Sequence, residues 1–401
     1  MKNIILLIFL PLFSFSQQKT MWDLHIQNDL NEWIPVRMYF DSLPENATKI
    51  ETAINIVNST ETIHLEPFKI SNDTTYYRFV DYNAELALTL KNYYNIDTAI
   101  VGYWVNYESE PVKKRAVKAH LKYSPVDEGI NRYYNANGNW KTKIIRKTNE
   151  SDAILMINQR KRVLHATIRT KAGDYRFLEG EITGVGFYLS SFSGNSVYYI
   201  RGKIINDTLK ATLSGLKTND VRLEAVKDDT YELPDAKSLT NVINDKPFNL
   251  NLKDELGKPV DFKKLIKNKV SIVSIFGTWC PNCVDEINYF NELQKKFPNV
   301  QIVCTAFENS DNETERQKRI QGFKQRKNIS IQFLIAEKPT TENVFKHFPM
   351  IDKFGGYPTS FLIDKKGKIV EIYTGFNGPA TGTYYDLFKE ELEKKLRELD
   401  R

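Results

Sequence analysis

Apolar and polar positions change rhythm partway along the chain. Up to about residue 235 the apolar residues come in short alternating runs, at 33–40, 75–80, 99–105, 163–170, 186–192, 197–205 and 209–213. Alternation of period two predicts strands with one buried face. Asn137-Gly138, Gly194-Asn195 and Asn206-Asp207 supply turn signals. Helical periodicity is scarce, and tyrosine and phenylalanine are frequent. The expectation is an all-β barrel or sandwich over residues 17–235. A break near residues 125–128 divides it into two subdomains, or the region forms one closed sheet.

The C-terminal part, residues 247–401, reads differently. An apolar run at 270–276 predicts a buried strand. After it Val284, Ile287, Phe290, Leu293 and Phe297 recur at helical spacing. Asp285 and Glu286 are expected in the first turn of that helix and Lys295 and Lys296 in its last, as the helix dipole favours. Strands are expected at 300–307 and 329–336, with a charged helix at 312–327 between them and a helix at 341–351 after. Residues 359–364 and 369–373 predict a hairpin around Lys365-Lys366-Gly367-Lys368. A last helix, 384–399, carries Tyr385, Leu387, Phe388, Leu392 and Leu396 along its apolar side. This order predicts an α/β unit, a mixed sheet covered by helices. Pro234, Asp235 and Pro247 punctuate a linker at about 236–246.

The candidate chemistry sits at the start of the 284–297 helix. Two of the chain's three cysteines form Cys280-Pro281-Asn282-Cys283. At i and i+3 two sulfurs share one helical face and can close a small disulfide. A cysteine at a helix N-terminus meets unpaired N–H groups and the positive dipole end, which favour its thiolate. Cys280 is therefore the expected nucleophile and Cys283, one turn in, the resolving thiol. Pro281 suits the first helical position. A structural disulfide or half of a zinc site are the alternatives. Zinc takes about four ligands, and no second C-x-x-C or nearby histidine exists, so no metal or cofactor is expected. Cys304 reads as a free thiol in a buried strand. The five histidines, His25, His64, His120, His165 and His347, are scattered and read as surface or packed residues.

Residues 245–401 resemble a thioredoxin-fold domain of the TlpA/ResA type. The resemblance rests on Phe276-Gly277-Thr278-Trp279-Cys280-Pro281-Asn282-Cys283, on Glu286 and on Gly356-Tyr357-Pro358-Thr359. It implies a cis Pro358 facing the dithiol, with Tyr357 and Pro358 holding a client backbone and Thr359 leading into the next strand. It implies an acid at Glu286 that manages the proton when Cys283 attacks, and an aromatic shield at Trp279. It also implies the Cys280–Cys283 disulfide, reduction of client proteins (apocytochrome c among them, hence cytochrome c biogenesis) and recharging by a membrane thiol–disulfide donor. Ser274 stands where thioredoxin itself has a buried Asp. The helix in residues 308–328 fits an insertion seen in such domains. A peroxidase of the same fold requires Thr or Ser where Gly277 stands and Pro where Val273 stands. A second resemblance, to β-rich regions that precede TlpA-like domains in exported Bacteroidetes proteins, rests on residues 173–180, 189–192 and 232–235. It implies no catalytic residues.

Residues 1–16 read as a secretory signal peptide cut near Ser16: Lys2, an apolar run at 4–13, then small residues. That run is too short to span a membrane as a stable helix. The expected product is exported to the periplasm or cell envelope. Net charge is +6, or +5 once Lys2 leaves. Lys113-Lys114-Arg115 and Arg160-Lys161-Arg162 read as solvated strand faces or turns, so no nucleic acid is expected. The reading is a disulfide oxidoreductase, with an alternative in which the β-region is an envelope binding module and the redox site is accessory.

Overall fold

The structure is a computed structural model and describes all residues except 1–19, 45, 92–98, 110, 122–132, 237–238, 244–247 and 249. The expected leader, residues 1–16, lies outside the described residues. Among the described residues no helix is long and apolar enough to cross a membrane.

Strands β1 (Met21–Gln27) to β9 (Lys114–Leu121) build a first antiparallel sheet. β1 pairs with β9 at its centre, and β4 (Glu61–Leu65) and β5 (Pro67–Ser71) are its edges. Only Glu66 separates β4 from β5 in the chain, so the sheet curls until its edges nearly meet. A second sheet holds β10 (Gly138–Ile145), β11 (Glu150–Arg160), β12 (Val163–Thr170) and β14 (Leu178–Thr183) to β18 (Val221–Lys227). β18 returns to β10 and β11 pairs with β12, which closes an eight-stranded barrel. The two-residue β13 (Gly173–Asp174) hangs on β12. A barrel of this size has an interior just wide enough for side chains; Trp140, Ile144, Leu155, Leu164, Leu189 and Leu223 fill it. The break expected near residues 125–128 lies outside the described residues.

The alternating runs formed strands because alternation matches one face packed and one wetted. β2 (Trp33–Phe40), β12, β15 (Gly186–Phe192) and β16 (Val197–Ile205) have the expected bounds. β6 (Thr74–Arg78), β8 (Ile100–Asn106) and β17 (Thr208–Ser214) differ by one or two residues. Asn206 and Asp207, at φ 49° and 56°, make the hairpin between β16 and β17. Asn137-Gly138 is not a hairpin turn: Gly138, at φ 120°, opens β10. Arg115 is not solvated either. It is buried, 2.9 Å from Asp29, over the Trp104 ring. The two sheets meet where Trp104 packs on Phe192 at 5.1 Å and donates to the Gly194 carbonyl at 3.0 Å.

The C-terminal part begins with β19 (Asn241–Val242), which pairs with β23 (Ile351–Lys353). The Gly355 N–H donates to the Thr240 hydroxyl at 3.1 Å, and that hydroxyl lies 2.7 Å from the Thr374 hydroxyl. Residues inside the expected linker are thus tied to this part. Its sheet runs β22 (Gln332–Ile335), β21 (Gln301–Ala306), β20 (Ser271–Phe276), β24 (Thr359–Ile363), β25 (Ile369–Thr374). The first three are parallel, and β24 and β25 are the expected antiparallel hairpin. Helices α2 (Pro281–Lys296), α3 (Glu313–Lys327) and α5 (Thr383–Leu399) share one core with one face of the sheet. α1 (Phe262–Ile266) and α4 (Thr341–His347) pack on the other. This is the thioredoxin-like α/β arrangement expected.

Two elements are shorter than expected by four residues each. α4 stops at His347 because Pro349 disfavours a helical conformation at Phe348. β22 starts only at Gln332, after Asn328 ends α3 in the left-handed region at φ 51°. Leu387, expected on the apolar side of α5, is 55% exposed, whereas Leu392 and Leu396 are buried.

Candidate active site

β20 is buried on both faces, so its alternation sorts residues between two helix layers. Ile272, Ser274 and Phe276 turn toward α2; Val273 and Ile275 turn toward α4. At the end of this strand the chain bends through Gly277, Thr278 and Trp279 into α2. Cys280 is the N-cap of α2 and Pro281 its first residue, as expected. The Cys280 sulfur accepts the Cys283 N–H at 3.2 Å, so the sulfur does the work of a capping oxygen. Both cysteines are thiols in this structure. Cys280 is 7% exposed and Cys283 fully buried. Burial pushes the Cys283 thiol well up, and the neighbouring Cys280 and Glu286 add to it. The two sulfurs are therefore unequal.

Asp285 and Glu286 are not first-turn surface acids. The helix starts at Pro281, so both lie beyond its first turn, and both are buried. The sheet and the barrel cover that side of the helix. Glu286 accepts from the Ser274 hydroxyl at 2.7 Å and the Ser360 hydroxyl at 2.9 Å. Ser274 faces Ser360 on β24 and Cys304 on β21 in register, so three small polar side chains cross the sheet beneath one carboxyl. Burial raises the Glu286 carboxyl to about 7, against the pull of the two serines. Ser274 thus holds the Glu286 carboxyl from the strand below it. Cys304 is a free, fully buried thiol, as expected.

The Tyr357–Pro358 peptide bond is cis, as the resemblance implied. The Tyr357 ring packs edge-on against Trp279 at 4.9 Å, beside Phe354 and Phe307. Burial pushes the Tyr357 hydroxyl up, with both cysteines adding to it, and among the described residues the hydroxyl has no hydrogen-bond partner. The Pro358 carbonyl accepts from Gly375 N–H at 2.8 Å. Thr359 is fully buried, its hydroxyl donating to the Gly356 carbonyl at 2.7 Å; its side chain shapes the loop from within. Cys280, Trp279, Tyr357 and Pro358 are thus brought together, with Cys283 and Glu286 behind them.

Sequence reasoning missed two contributors. Glu308, just after β21, is fully buried and accepts from the Thr278 N–H at 2.8 Å and hydroxyl at 2.6 Å. It fixes the approach to the dithiol, and burial with Glu108 nearby raises it to about 8. The other is the barrel. Asn195 donates to the Trp279 carbonyl at 2.9 Å, and Asp174 accepts the Gly378 N–H at 2.5 Å. The sequence signals on this side, the Gly194-Asn195 turn and the run 173–180, carried no role at the dithiol.

The family model described as Redoxin matches residues 230–387. The thiol-disulfide oxidoreductase ResA of Bacillus cereus is 30% identical over 151 residues, which are 38% of this chain and 75% of that protein. The thioredoxin-like protein YneN of Bacillus subtilis is 24% identical over 131 residues, 32% of this chain and 65% of that one. A thioredoxin-family thiol:disulfide interchange protein from Chlorobium tepidum matches over 37% of this chain and 98% of its own, at 24% identity and a TM-score of 0.28. By its C-terminal part, the chain belongs to the ResA-like family of thiol-disulfide oxidoreductases.

Proposed function

We propose that this oxidoreductase is exported and reduces disulfides in client proteins of the periplasm or cell envelope. The observation that carries the reading is the inequality of the two sulfurs: Cys280 caps α2 at the surface edge, and Cys283 is sealed behind it beside Glu286. The Cys280 thiolate attacks a client disulfide, forming a mixed disulfide and releasing one client thiolate. Cys283 gives its proton to the Glu286 carboxylate and attacks the Cys280 sulfur. The second client thiolate leaves, and the Cys280–Cys283 disulfide remains. Two electrons have passed from the dithiol to the client. Tyr357 and Pro358 hold the client backbone, Trp279 packs beside the sulfur, and Thr359 keeps the loop in shape. A membrane thiol–disulfide donor restores the dithiol, and apocytochrome c fits among the clients. The leader expected at residues 1–16 supports export. The filled barrel interior favours this reading over a barrel that binds a ligand in its lumen.

The test is a single turnover of the reduced full chain with an unfolded client carrying one disulfide. Two client thiols are expected per Cys280–Cys283 disulfide, mapped by mass spectrometry. A client that stays oxidised while the chain stays reduced overturns the proposal.

A further inference from the structure

Cys280 opens into a pocket that the redox unit does not build alone. Tyr175, Arg176 and Tyr198 of the barrel region line it opposite Cys280, Asn282 and Tyr357. Its volume is about 180 Å³, below the roughly 300–1,000 Å³ of pockets that enclose drug-sized ligands.

The wall is firmly held. Gly173 bridges Phe376 in parallel fashion and sits at φ 130°, where a Cβ would lie 2.0 Å from the Asn282 amide. Only glycine allows that approach. Asp174 accepts from Arg176 N–H at 2.6 Å as well as from Gly378. Arg176 is 8% exposed. It reaches Glu61 of β4 at 2.7 Å, the hydroxyl of Tyr82 in the loop between β6 and β7 (Ala84–Leu90) of the same sheet at 3.2 Å, and Asp285 of α2 at 3.1 Å. One buried guanidinium therefore ties the first sheet, the barrel and the redox helix together beside the nucleophile. A buried charge stripped of its partners is strongly unfavourable, so the three parts hold this arrangement cooperatively.

We infer that Tyr175, Arg176 and Tyr198 are specificity-determining residues, which restrict Cys280 to low-molecular-weight disulfides and disulfides on flexible segments and shut out those on folded protein surfaces. The inference rests on the exchange chemistry proposed above. In each exchange the Cys280 thiolate forms one S–S bond and expels one thiolate, so the two classes of disulfide differ only in access.

The test compares two disulfides with the same leaving group, using the reduced full chain. One is 5,5′-dithiobis(2-nitrobenzoate). The other is a folded carrier protein whose single surface cysteine bears the thionitrobenzoate group. Both release the same chromophore, and a Cys280→Ser chain supplies the background. The wild type is expected to favour the small disulfide by at least about 100-fold beyond the ratio that free dithiothreitol shows, since exchange rates follow access. Arg176→Ala, which unties the wall, and Tyr175→Ala, which opens it while leaving the ionic contacts in place, are each expected to cut that ratio at least about tenfold. A wild type that shows no preference beyond that of dithiothreitol overturns the inference and leaves the exchange chemistry standing. So does a preference that neither variant moves. A wild type that releases chromophore from neither disulfide overturns the exchange chemistry, and the inference with it.

Discussion

Replacing Cys280 with serine is expected to reduce disulfide exchange to below about one thousandth of wild type, because a serine hydroxyl is not ionised where a thiolate is the nucleophile. Neither remaining thiol can substitute. Cys283 and Cys304 are fully buried and their thiols are pushed well above the usual range. Cys283→Ser has a different expected outcome. The first exchange survives, and the chain accumulates as a Cys280–client mixed disulfide because no second thiolate expels the client. The species is read by non-reducing electrophoresis and mass spectrometry. Equal loss in both variants, with no trapped species, would contradict the assigned order of attack.

The second large effect is expected at Glu286. Glu286→Gln keeps the size of the side chain but removes its proton chemistry. A positioned acid or base contributes about 10²–10⁴-fold, so resolution of the mixed disulfide should slow by that factor while the first exchange changes less. The pH profile carries the sharper sign. Glu286 is held up to about 7, so wild-type resolution should rise as pH passes through about 7, where the carboxylate that accepts the Cys283 proton appears. The Gln variant should lack that rise. Stability should follow the same titration in the opposite sense. Between the unfolded carboxyl value and about 7 the folded chain binds the proton more tightly than the unfolded chain. Stability from this group therefore falls as pH rises through that window, by on the order of 3 kcal/mol. Urea unfolding of the variant across the same pH range should show a shallower slope. Identical pH profiles in wild type and variant would remove Glu286 from the proton path.

The sequence carried the strands well where one face is wet and one dry: β2, β12, β15 and β16 have the expected bounds. It carried less where burial is two-sided. Asp285 read as a dipole-matched acid because nothing local to α2 reveals that Arg176, more than a hundred residues earlier, covers it; the resemblance singled out Glu286, but not that Ser274 and Ser360 meet it. Leu387 read as core because helical spacing places it near Tyr385 and Phe388, yet the packed face of α5 ends short of it. Cys280, Cys283, Trp279 and Pro358 were legible because a local motif carries them. Glu308 and the barrel wall were not, since their roles exist only once β21 and β13 are folded against the dithiol.

The reduction potential of the Cys280–Cys283 pair tests the central claim most directly. The chain is equilibrated in dithiothreitol or glutathione buffers of known poise, and the thiols are counted after acid quenching. Burial, the Cys280 sulfur and the Glu286 carboxyl disfavour the Cys283 thiolate, which withholds from the reduced form one source of the stabilisation that makes a dithiol strongly oxidising. A potential near or below thioredoxin's about −270 mV is predicted. A value near about −120 mV would make the chain a disulfide-forming oxidant and contradict the proposed direction of electron flow.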